Sequence, residues 1–313
     1  MTNPDSAAAA GASMGGVTAG VVTDDRPRSL GSDAWDQLRR NPAVIVATIV
    51  ILVFVAMAIA PGLFTTRGPR VCNLSLARGA PGHDAWFGYD RNGCDVFSRT
   101  VYGARASIVV GVLSALTVAI LGGILGMLAG FYGGFIDTMI SRVTDIFFGI
   151  PFLLGAIIVL VAIPSGSQTS FWVPVTKVVL ALAVLGWPSV ARIMRSTTLQ
   201  VKESDYVAAA RALGASTSRI LRVHVLPNAV QPVIVYATIL LGAFISAEAA
   251  LSYLGIGLQE PVVSWGIDIS SASRFYRTSP HMLAFPGMAL SLTVLAFIVV
   301  GDAVRDALDP KQR

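Results

Sequence analysis

Apolar and polar stretches alternate along the chain, and six apolar stretches are long enough to cross a bilayer as helices. They cover 42–60, about 105–130, about 137–162, about 174–195, about 230–253 and about 284–302. Proline predicts a kink near Pro151 in the third stretch and a break at Trp187-Pro188 in the fourth. The pattern predicts an all-α polytopic membrane protein with six transmembrane helices. An even number of spans places both termini on the same side.

The polar stretches divide the chain into further parts. Residues 1–33 lack an apolar period and are predicted to form a disordered cytoplasmic tail, while 34–60 combine an amphipathic lead-in with the first transmembrane helix. Cleavage of this first run as a signal peptide is the alternative, but the run is longer than usual signal sequences. Residues 61–104 form a long extracytoplasmic loop, 105–302 a permease core with the remaining spans, and 303–313 a cytoplasmic C-terminal tail.

The composition excludes several functional classes. Hydrophobic residues make up 54% of the 313 residues and charged residues 13%, which is too apolar for a soluble domain. Two cysteines and three histidines are too few and too scattered for a metal cluster, so we expect no metal. None of Lys177, Lys202 or Lys311 follows a glycine, so the chain has no Walker A loop. No nucleic-acid motif accompanies the net charge of +5, and we expect lipid and not nucleic acid as the neighbour.

The distribution of basic residues predicts how the chain lies in the membrane. Arginine and lysine cluster before the first span, between the fourth and fifth spans, and after the sixth, which is typical of cytoplasmic segments. Both termini are therefore predicted to be cytoplasmic. The loop at 61–104 also carries five arginines, which opposes this assignment. We retain it because long loops follow the rule poorly and the first helix usually decides orientation.

The polar segment 203–228, between the fourth and fifth spans, predicts two short helices. Four apolar residues fall at i, i+1, i+4 and i+7 and share one face of the first helix: Tyr206, Val207, Ala210 and Leu213. Ser204 or Asp205 is expected to cap its start, and Gly214 to end it in a left-handed conformation. A second helix follows until Pro227, which is expected to stop it.

This segment resembles the EAA coupling loop in the membrane subunits of ABC importers, and its flanks resemble the dipeptide and oligopeptide branch, of the DppC/OppC type. In that family the loop sits in a groove of the ATPase subunit. The resemblance implies a coupling role for seven residues: Tyr206, Ala208, Ala209, Ala210, Gly214, Leu226 and Pro227. The family's usual glutamate is Ala208 here, so helix shape and nearby arginines must make the contact. The alternative is an amphipathic helix on the lipid surface.

A second resemblance lies just before the second span. The residues GYDRNGCD at 88–95 and SRTVYGAR at 98–105 are similar to the family signature GTD-x-x-GRD-x-x-SR-x-x-x-G-x-R, with Cys94 where arginine is usual. Asp90 predicts an Asx turn and Gly93 a further turn. Asp90, Gly93 and Asp95 are expected at the outer mouth of the pore, as a gate or binding-protein contact. A solvated loop is the alternative.

Trp265 belongs to a further match, the family's P-x-x-x-WG loop between the last two spans. We expect it to be an outer interfacial anchor or part of the surface that meets the binding protein. Cys72 and Cys94 lie in the same predicted outer loop, and we expect them to form a disulfide. Such a bridge would stabilise the loop by roughly 3 kcal/mol on the chain-entropy model. Two free thiols are the alternative.

Small and charged residues inside the spans give three more predictions. Gly122, Gly126, Gly130 and Gly134 recur every four residues, which predicts close helix packing. Glu248 lies well inside an apolar run, in a stretch that resembles the family's EAALSFLGLG, and is a candidate intramembrane functional acid. A structural pair with an arginine or a helix end is the favoured interpretation. Three residues at the inner end of the third span are expected to form an interfacial ion-pair set: Asp137, Arg142 and Asp145.

Together these resemblances imply a type I ABC importer permease subunit of the bacterial inner membrane. The implied partners are a second homologous permease, two ATPase domains and an extracytoplasmic solute-binding protein or lipoprotein. The chain itself would bind no cofactor and hold no catalytic site, because ATP and Mg would be bound by the partner ATPase. Uptake of peptides or a related solute would proceed by alternating access, with the segment 203–228 acting as a lever. The cargo stays open among dipeptides, longer peptides, nickel complexes, glutathione and haem.

Two other classes are less compatible with the sequence. An ion-coupled secondary carrier would require polar or charged pairs near the membrane midplane and usually an internal repeat. Neither feature is visible in the sequence. A membrane-bound enzyme would require a nucleophile beside a base, and no histidine is placed to partner an intramembrane serine.

Overall fold

The computed structural model describes residues 38–163 and 170–308. The predicted tail at 1–33, part of the lead-in, and residues 309–313 lie outside this part of the chain. The principal helices are α1 Pro42–Ile59, α2 Val96–Tyr132, α3 Gly134–Phe148, α4 Phe152–Ala162, α5 Trp172–Lys202, α6 Asp205–Ala212, α7 Gln231–Tyr253, α8 Trp265–Ala272 and α9 His281–Leu308. Shorter helical turns are Pro61–Leu63, Leu74–Leu76, Thr217–Arg219, Ile220–Val225, Leu226–Ala229 and Ser273–Phe275.

Five helices are each long and apolar enough to cross a membrane: α1, α2, α5, α7 and α9. The pair α3 and α4 passes the same test together, but the two helices are bent by 96°. The predicted kink near Pro151 is therefore a sharp corner. Pro151 lacks an N–H group and restricts the residue before it, so α3 ends at Phe148 and α4 starts in a new direction. With this pair counted as one span, the prediction of an all-α, six-span protein is confirmed.

Three spans, α2, α5 and α9, are longer than predicted because their helices extend into polar sequence. Helix α2 begins at Val96, nine residues before the predicted start, and the Asp95 side chain caps it by accepting from the Phe97 N–H at 3.0 Å. Its first turns contain polar residues such as Ser98 and Arg99, which are buried by the outer loops. Helix α9 likewise exceeds the predicted 284–302 at both ends. Hydropathy cannot identify helical turns that are buried by protein instead of lipid.

The predicted break at Trp187-Pro188 is also wrong, because α5 continues through Pro188 to Lys202. Proline removes one backbone hydrogen bond, and neighbouring helices in a membrane protein can compensate for that loss. Pro188 is buried, and the Trp187 ring packs edge-on against Phe147 of α3 at 5.8 Å. Packing on both sides thus holds this helix together.

The glycine stripe of α2 faces α5. A Cβ atom added at Gly122 would lie 2.6 Å from the Trp187 carbonyl oxygen, and one at Gly130 would lie 2.7 Å from the Arg195 carbonyl oxygen. The predicted close packing is confirmed for these positions and for Gly126. Gly134 differs, since it starts α3 with φ of +55° and has nothing near its missing side chain. The fourth member of the predicted stripe is therefore wrong.

Gly126→Leu is expected to destabilise the chain by more than about 1–3 kcal/mol, the usual range for an overpacked core. A Cβ atom at Gly126 would lie 2.3 Å from the Ala191 carbonyl oxygen, and a backbone atom cannot rotate away. Gly123→Leu is the matched control, because nothing lies within 4 Å of its Cβ position. Thermal unfolding in detergent should show a lower midpoint for the first variant only. Equal midpoints would contradict the assigned α2–α5 interface.

The charged residues of α3 pair with α5 and not with one another. Asp137 accepts from the Arg195 guanidinium, with Nη2 at 2.7 Å from Oδ2, and Asp145 lies 3.4 Å from Arg192. Arg142 has no ion pair within the described residues. The predicted ion-pair set therefore exists at this end of the spans, but it joins two helices and omits one of its three predicted members.

Candidate coupling segment

The segment 203–228 follows the C-terminal end of α5, which is bonded to the C-terminal end of α2. Lys202, the last residue of α5, donates from Nζ to the Phe131 carbonyl oxygen at 2.5 Å. Val207 from its first half and Val225 from its second half are both fully buried in the main hydrophobic cluster. Buried apolar side chains from both halves, with Ile220 as well as Val225 in the second, thus fix the segment to the spans.

Gly214 ends α6 as predicted, with φ of +80°. The Gly214 N–H donates to the Arg211 carbonyl and the Ala215 N–H to the Ala210 carbonyl, each at 3.0 Å, which satisfies carbonyl groups left free at a helix end. A Cβ atom here would meet nothing within 4 Å. The left-handed backbone, and not crowding, therefore requires glycine.

One of two local predictions for this segment holds. Ser204 is the N-cap residue as predicted, although its side chain makes no capping bond and donates instead to the Val201 carbonyl at 2.6 Å. The prediction for Pro227 is wrong. Pro227 does not stop the second helix, because a π-helical turn at Ile220–Val225 continues directly into the helical turn Leu226–Ala229. Pro227 lies in the first turn of that last piece, where a missing N–H group costs little.

The predicted apolar face of α6 is only partly buried. Val207 is fully buried, whereas Tyr206 is 46% exposed and Leu213 is 89% exposed. Val223 and Leu226 from the second half are exposed as well. These four exposed apolar residues, Tyr206, Leu213, Val223 and Leu226, are called the coupling surface below. Since α6 has only two turns and one anchor, most of its apolar side chains remain available to another molecule.

The other residues predicted for coupling are accessible too. All but Ala210, which is half-buried, are exposed in the structure: Tyr206, Ala208, Ala209, Gly214, Leu226 and Pro227. The Tyr206 ring lies 6.4 Å from the His224 ring, so the two halves of the segment contact each other. The segment is therefore one folded unit with an exposed outer side.

Positive charge surrounds the coupling surface. Arg211, Arg219 and Arg222 are exposed, and none of them forms an ion pair in the described part of the chain. Arg222 is oriented by Ser218, whose Oγ lies 2.7 Å from its Nη2. An apolar surface flanked by arginines is the composition found at the centres of protein interfaces.

A disulfide and a hydrogen-bonded turn at Asp90 stabilise the loop at 61–95, the predicted outer loop. Cys72 and Cys94 form a disulfide, as predicted. The Asp90 Oδ1 atom accepts from the N–H groups of Asn92 and Cys94, each at 2.8 Å, and Gly93 has φ of +76°. The predicted Asx turn and glycine turn are both confirmed. A Cβ atom at Gly93 would clash with the Asn73 carbonyl at 1.8 Å, so glycine also permits the two loop strands to approach.

The residues predicted to form the outer contact surface are buried instead. Asp90 is 7% exposed, Asp95 is 8% exposed, Gly93 is buried and Trp265 is fully buried. The Trp265 Nε1 atom donates to the Thr100 carbonyl at 2.8 Å, which fixes α8 against α2. Trp265 is therefore not an interfacial anchor, and in this conformation all four residues hold the loops in place. A role of Asp90, Gly93 and Asp95 as a gate or binding-protein contact stays a prediction.

An ion pair that the sequence did not reveal connects the same elements. Arg99 on α2 donates to Asp268 on α8 through Nε at 2.9 Å and Nη2 at 2.5 Å, and all the groups are buried. Its Nε also lies 3.5 Å from Asp90. Burial raises the pKa of the Asp268 carboxyl above its ordinary value, and the Arg99 guanidinium opposes that shift. In the sequence, only the place of Arg99 in the signature pair Ser98-Arg99 marked it as a residue of interest.

Glu248 has hydroxyl partners and no arginine partner among the residues that the structure describes. It is fully buried in α7, where it accepts from Ser107 of α2 and from Ser252 of its own helix, each at 2.8 Å. The Ser252 Oγ atom also accepts from the Leu258 N–H at 2.9 Å. The predicted structural pair with an arginine or a helix end is therefore wrong in its partner, which is a pair of serine hydroxyls. Complete burial also leaves no room for cargo contact in this conformation.

Comparison with known proteins gives one consistent result. Residues 122–313 match the family model of binding-protein-dependent transport system inner membrane components, and 29–75 match the N-terminal transmembrane domain of oligopeptide transport permease C. The oligopeptide transport system permease protein OppC of Bacillus subtilis (strain 168) is 39% identical, over 91% of each chain. The dipeptide permease DppC of the same strain is 38% identical, over 91% of this chain and 87% of the relative.

More distant similarities agree with these. The glutathione transport system permease protein GsiD of Escherichia coli O157:H7 is 35% identical, over 93% of this chain and 94% of the relative. An inward-facing structure of the MetNI methionine ABC transporter aligns with a TM-score of 0.53 and 21% identity. That alignment covers 67% of this chain and 96% of the other, and it supports the fold alone.

Proposed function

The chain belongs to the family of binding-protein-dependent transport system inner membrane components, and from this premise we propose that segment 203–228 receives force from a partner ATPase. The chain is thus an importer permease subunit, and the ion-coupled carrier is no longer a competing interpretation. The observation that supports the proposed coupling role is the exposed coupling surface, of which Leu213 is 89% exposed. A movement imposed on this surface would pass to the spans, because Val207 and Val225 pack the segment into the main hydrophobic cluster. Lys202, where α5 joins the segment, donates to the Phe131 carbonyl of α2 and so couples these two helices.

The lipid-surface alternative fits this geometry less well. An amphipathic helix on a membrane directs its whole apolar face into the lipid. Here Val207 of that face packs against the rest of the protein, while Tyr206 and Leu213 of the same face remain exposed. An exposed apolar patch on a segment that is already anchored is typical of a protein interface.

The wider assembly follows from the family. We infer a second homologous permease, two ATPase domains and an extracytoplasmic solute-binding protein as partners. ATP and Mg would be bound by the ATPase, and this chain would perform no covalent chemistry. ATPase closure would drive the segment 203–228 and rock the spans between inward-open and outward-open states. The relatives named above transport oligopeptides, dipeptides and glutathione, so a peptide is the proposed cargo.

The orientation in the inner membrane is part of the proposal. We place both termini and segment 203–228 in the cytoplasm, and the loops at 61–95 and 254–280 outside. The disulfide between Cys72 and Cys94 supports this placement, because such bonds persist in oxidising compartments. The exposed arginines of the coupling segment agree with it.

Leu213→Asp is expected to weaken association with the ATPase by about 10-fold or more, because a charge would enter an apolar contact at the centre of the proposed interface. The measurement is copurification of the ATPase subunits with the tagged permease from detergent-solubilised membranes. Thr217→Asp is the matched control, since it adds the same charge at an exposed helix start in the same segment. Unchanged copurification of Leu213→Asp would contradict the coupling role.

A further inference from the structure

The outer loops display their arginines and bury most of their carboxylates. Six arginines of the segments 60–95 and 254–280 are exposed: Arg67, Arg70, Arg78, Arg91, Arg274 and Arg277. Three carboxylates of the same segments are buried: Asp90, Asp95 and Asp268. Only Asp84 and Glu260 remain exposed with negative charge. The outer face therefore carries a clear excess of positive charge, which attracts an acidic partner over a distance of about 8–10 Å at ordinary salt.

Two exposed arginines, Arg70 and Arg105, line one groove between these loops and the start of α2. The groove has a volume of about 440 Å³ and is lined by Arg70, Arg105, Tyr102, Phe171 and Val262, among others. The Arg70 guanidinium donates to the Pro261 carbonyl. The Arg105 guanidinium lies over the Phe171 ring, 5.8 Å from its centre. Both side chains are thus held at the groove.

Neither groove arginine is neutralised by the chain itself. No carboxylate forms an ion pair with Arg70 or Arg105 within residues 38–163 and 170–308. Two guanidinium groups among aromatic and aliphatic side chains match a carboxylate that approaches with apolar neighbours. Val71 and Leu74, beside the disulfide, are 74% and 76% exposed and supply apolar surface next to the groove.

The loop that carries Arg70 is preformed. The disulfide, the turn at Asp90 and the buried pair of Arg99 and Asp268 fix it to α2 and α8. A rigid surface loses little conformational entropy on binding, so contacts made there contribute more fully to affinity. The combination of a preorganised loop, unpaired arginines and exposed apolar side chains is that of a protein-docking surface.

We propose that the groove between Arg70 and Arg105 receives an acidic side chain of the solute-binding protein, and that the surrounding arginines steer that protein onto the permease. The proposal rests on the function and orientation inferred above, and adds to them the docking position and its charge. Its position differs from that of the residues the sequence suggested for this contact, which are buried: Asp90, Gly93, Asp95 and Trp265.

The test measures docking of the cognate solute-binding protein, without cargo, to the assembled importer in nanodiscs of phosphatidylcholine. Arg70→Glu and Arg105→Glu are each expected to weaken docking by about 10-fold or more, since a close charge pair becomes repulsive. Arg274→Glu, on the same face but outside the groove, is the matched control and should lower only the association rate, by about 3-fold or less. Raised salt should reduce these differences.

Several results would overturn the proposal. Unchanged docking of both groove variants would do so, and so would equal losses in the groove variants and in Arg274→Glu. Normal docking with impaired peptide uptake would assign the groove to the cargo carboxylate. The assay is repeated in nanodiscs that also contain anionic lipid. If the groove variants lose docking only in those nanodiscs, the groove would be assigned to the membrane surface.

Folding is controlled separately from docking. Arg70→Gln and Arg105→Gln keep most of the side-chain volume and should show an intermediate loss. Copurification of the ATPase with every groove variant should stay normal, which shows an intact permease. Loss of copurification in Leu213→Asp tests the coupling role independently, so either proposal can fail while the other stands.

Discussion

Gly214→Pro is expected to lower peptide uptake by about 10-fold or more while the permease still inserts into the membrane. Proline cannot adopt the φ of +80° that Gly214 has, and it lacks the N–H group that donates to the Arg211 carbonyl. The end of α6 must therefore rearrange, which moves Leu213 at the exposed tip. A change of only about 1.4 kcal/mol in the free energy of ATPase docking already alters the dissociation constant tenfold.

Reconstituted importer separates this effect from loss of folding. Peptide uptake and ATP hydrolysis are measured together in proteoliposomes, and hydrolysis should become uncoupled from uptake in Gly214→Pro. Gly214→Asn is the matched control, because asparagine tolerates the left-handed region, and it should retain most uptake. Wild-type uptake by Gly214→Pro, or an equal defect in Gly214→Asn, would show that the conformation of this turn does not matter for coupling.

Features set by local backbone chemistry were predictable from sequence. The left-handed turns at Gly214 and Gly93, the Asx turn at Asp90 and the close approach of α2 along Gly122 and Gly126 follow from residue type and spacing alone. Each depends on one residue and its near neighbours in sequence. The apolar runs likewise locate the spans, because a bilayer requires a minimum apolar length.

Partners that are distant in sequence were not predictable in this way. Glu248 was expected to pair with an arginine or a helix end, but Ser107 donates to it from 141 residues away in the sequence. Arg99 and Asp268 are separated by 169 residues, and nothing in their local sequences marks them as a pair. Trp265 resembles an interfacial aromatic residue until α8 is seen packed against α2.

Helix periodicity also leaves one question open for short helices. The period of α6 correctly groups Tyr206, Val207 and Leu213 on neighbouring positions, but it does not say which of them meets the rest of the protein. Of these three only Val207 is buried, in the main hydrophobic cluster. Sequence likewise did not reveal that a π-helical turn precedes Pro227 and places it in the first turn of a new helix.

Asp268→Ala is expected to destabilise the chain by about 3–5 kcal/mol, the usual cost of leaving one partner of a buried ion pair uncompensated. The Arg99 guanidinium would keep only the Asp90 carboxylate and the Pro69 carbonyl, each at 3.5 Å. Thermal unfolding of the purified permease should show a clearly lower midpoint. Amide exchange should rise in the outer loop at 61–95 and in α8, since the pair connects them to α2. Asp84→Ala removes an exposed carboxylate from the same loop and should leave both measurements unchanged.

A double variant decides whether the loss comes from an unpaired buried charge or from altered packing. Arg99→Met combined with Asp268→Leu removes both charges and keeps apolar volume, and such replacements are often neutral for stability. Recovery of the unfolding midpoint in this variant would show that the single variant fails because Arg99 is left unpaired in a dry site. A midpoint as low as that of Asp268→Ala would instead assign the loss to the shape of the site. A wild-type midpoint in Asp268→Ala would mean that water or Asp90 already neutralises Arg99, and the buried pair would then not be what holds α8 against α2.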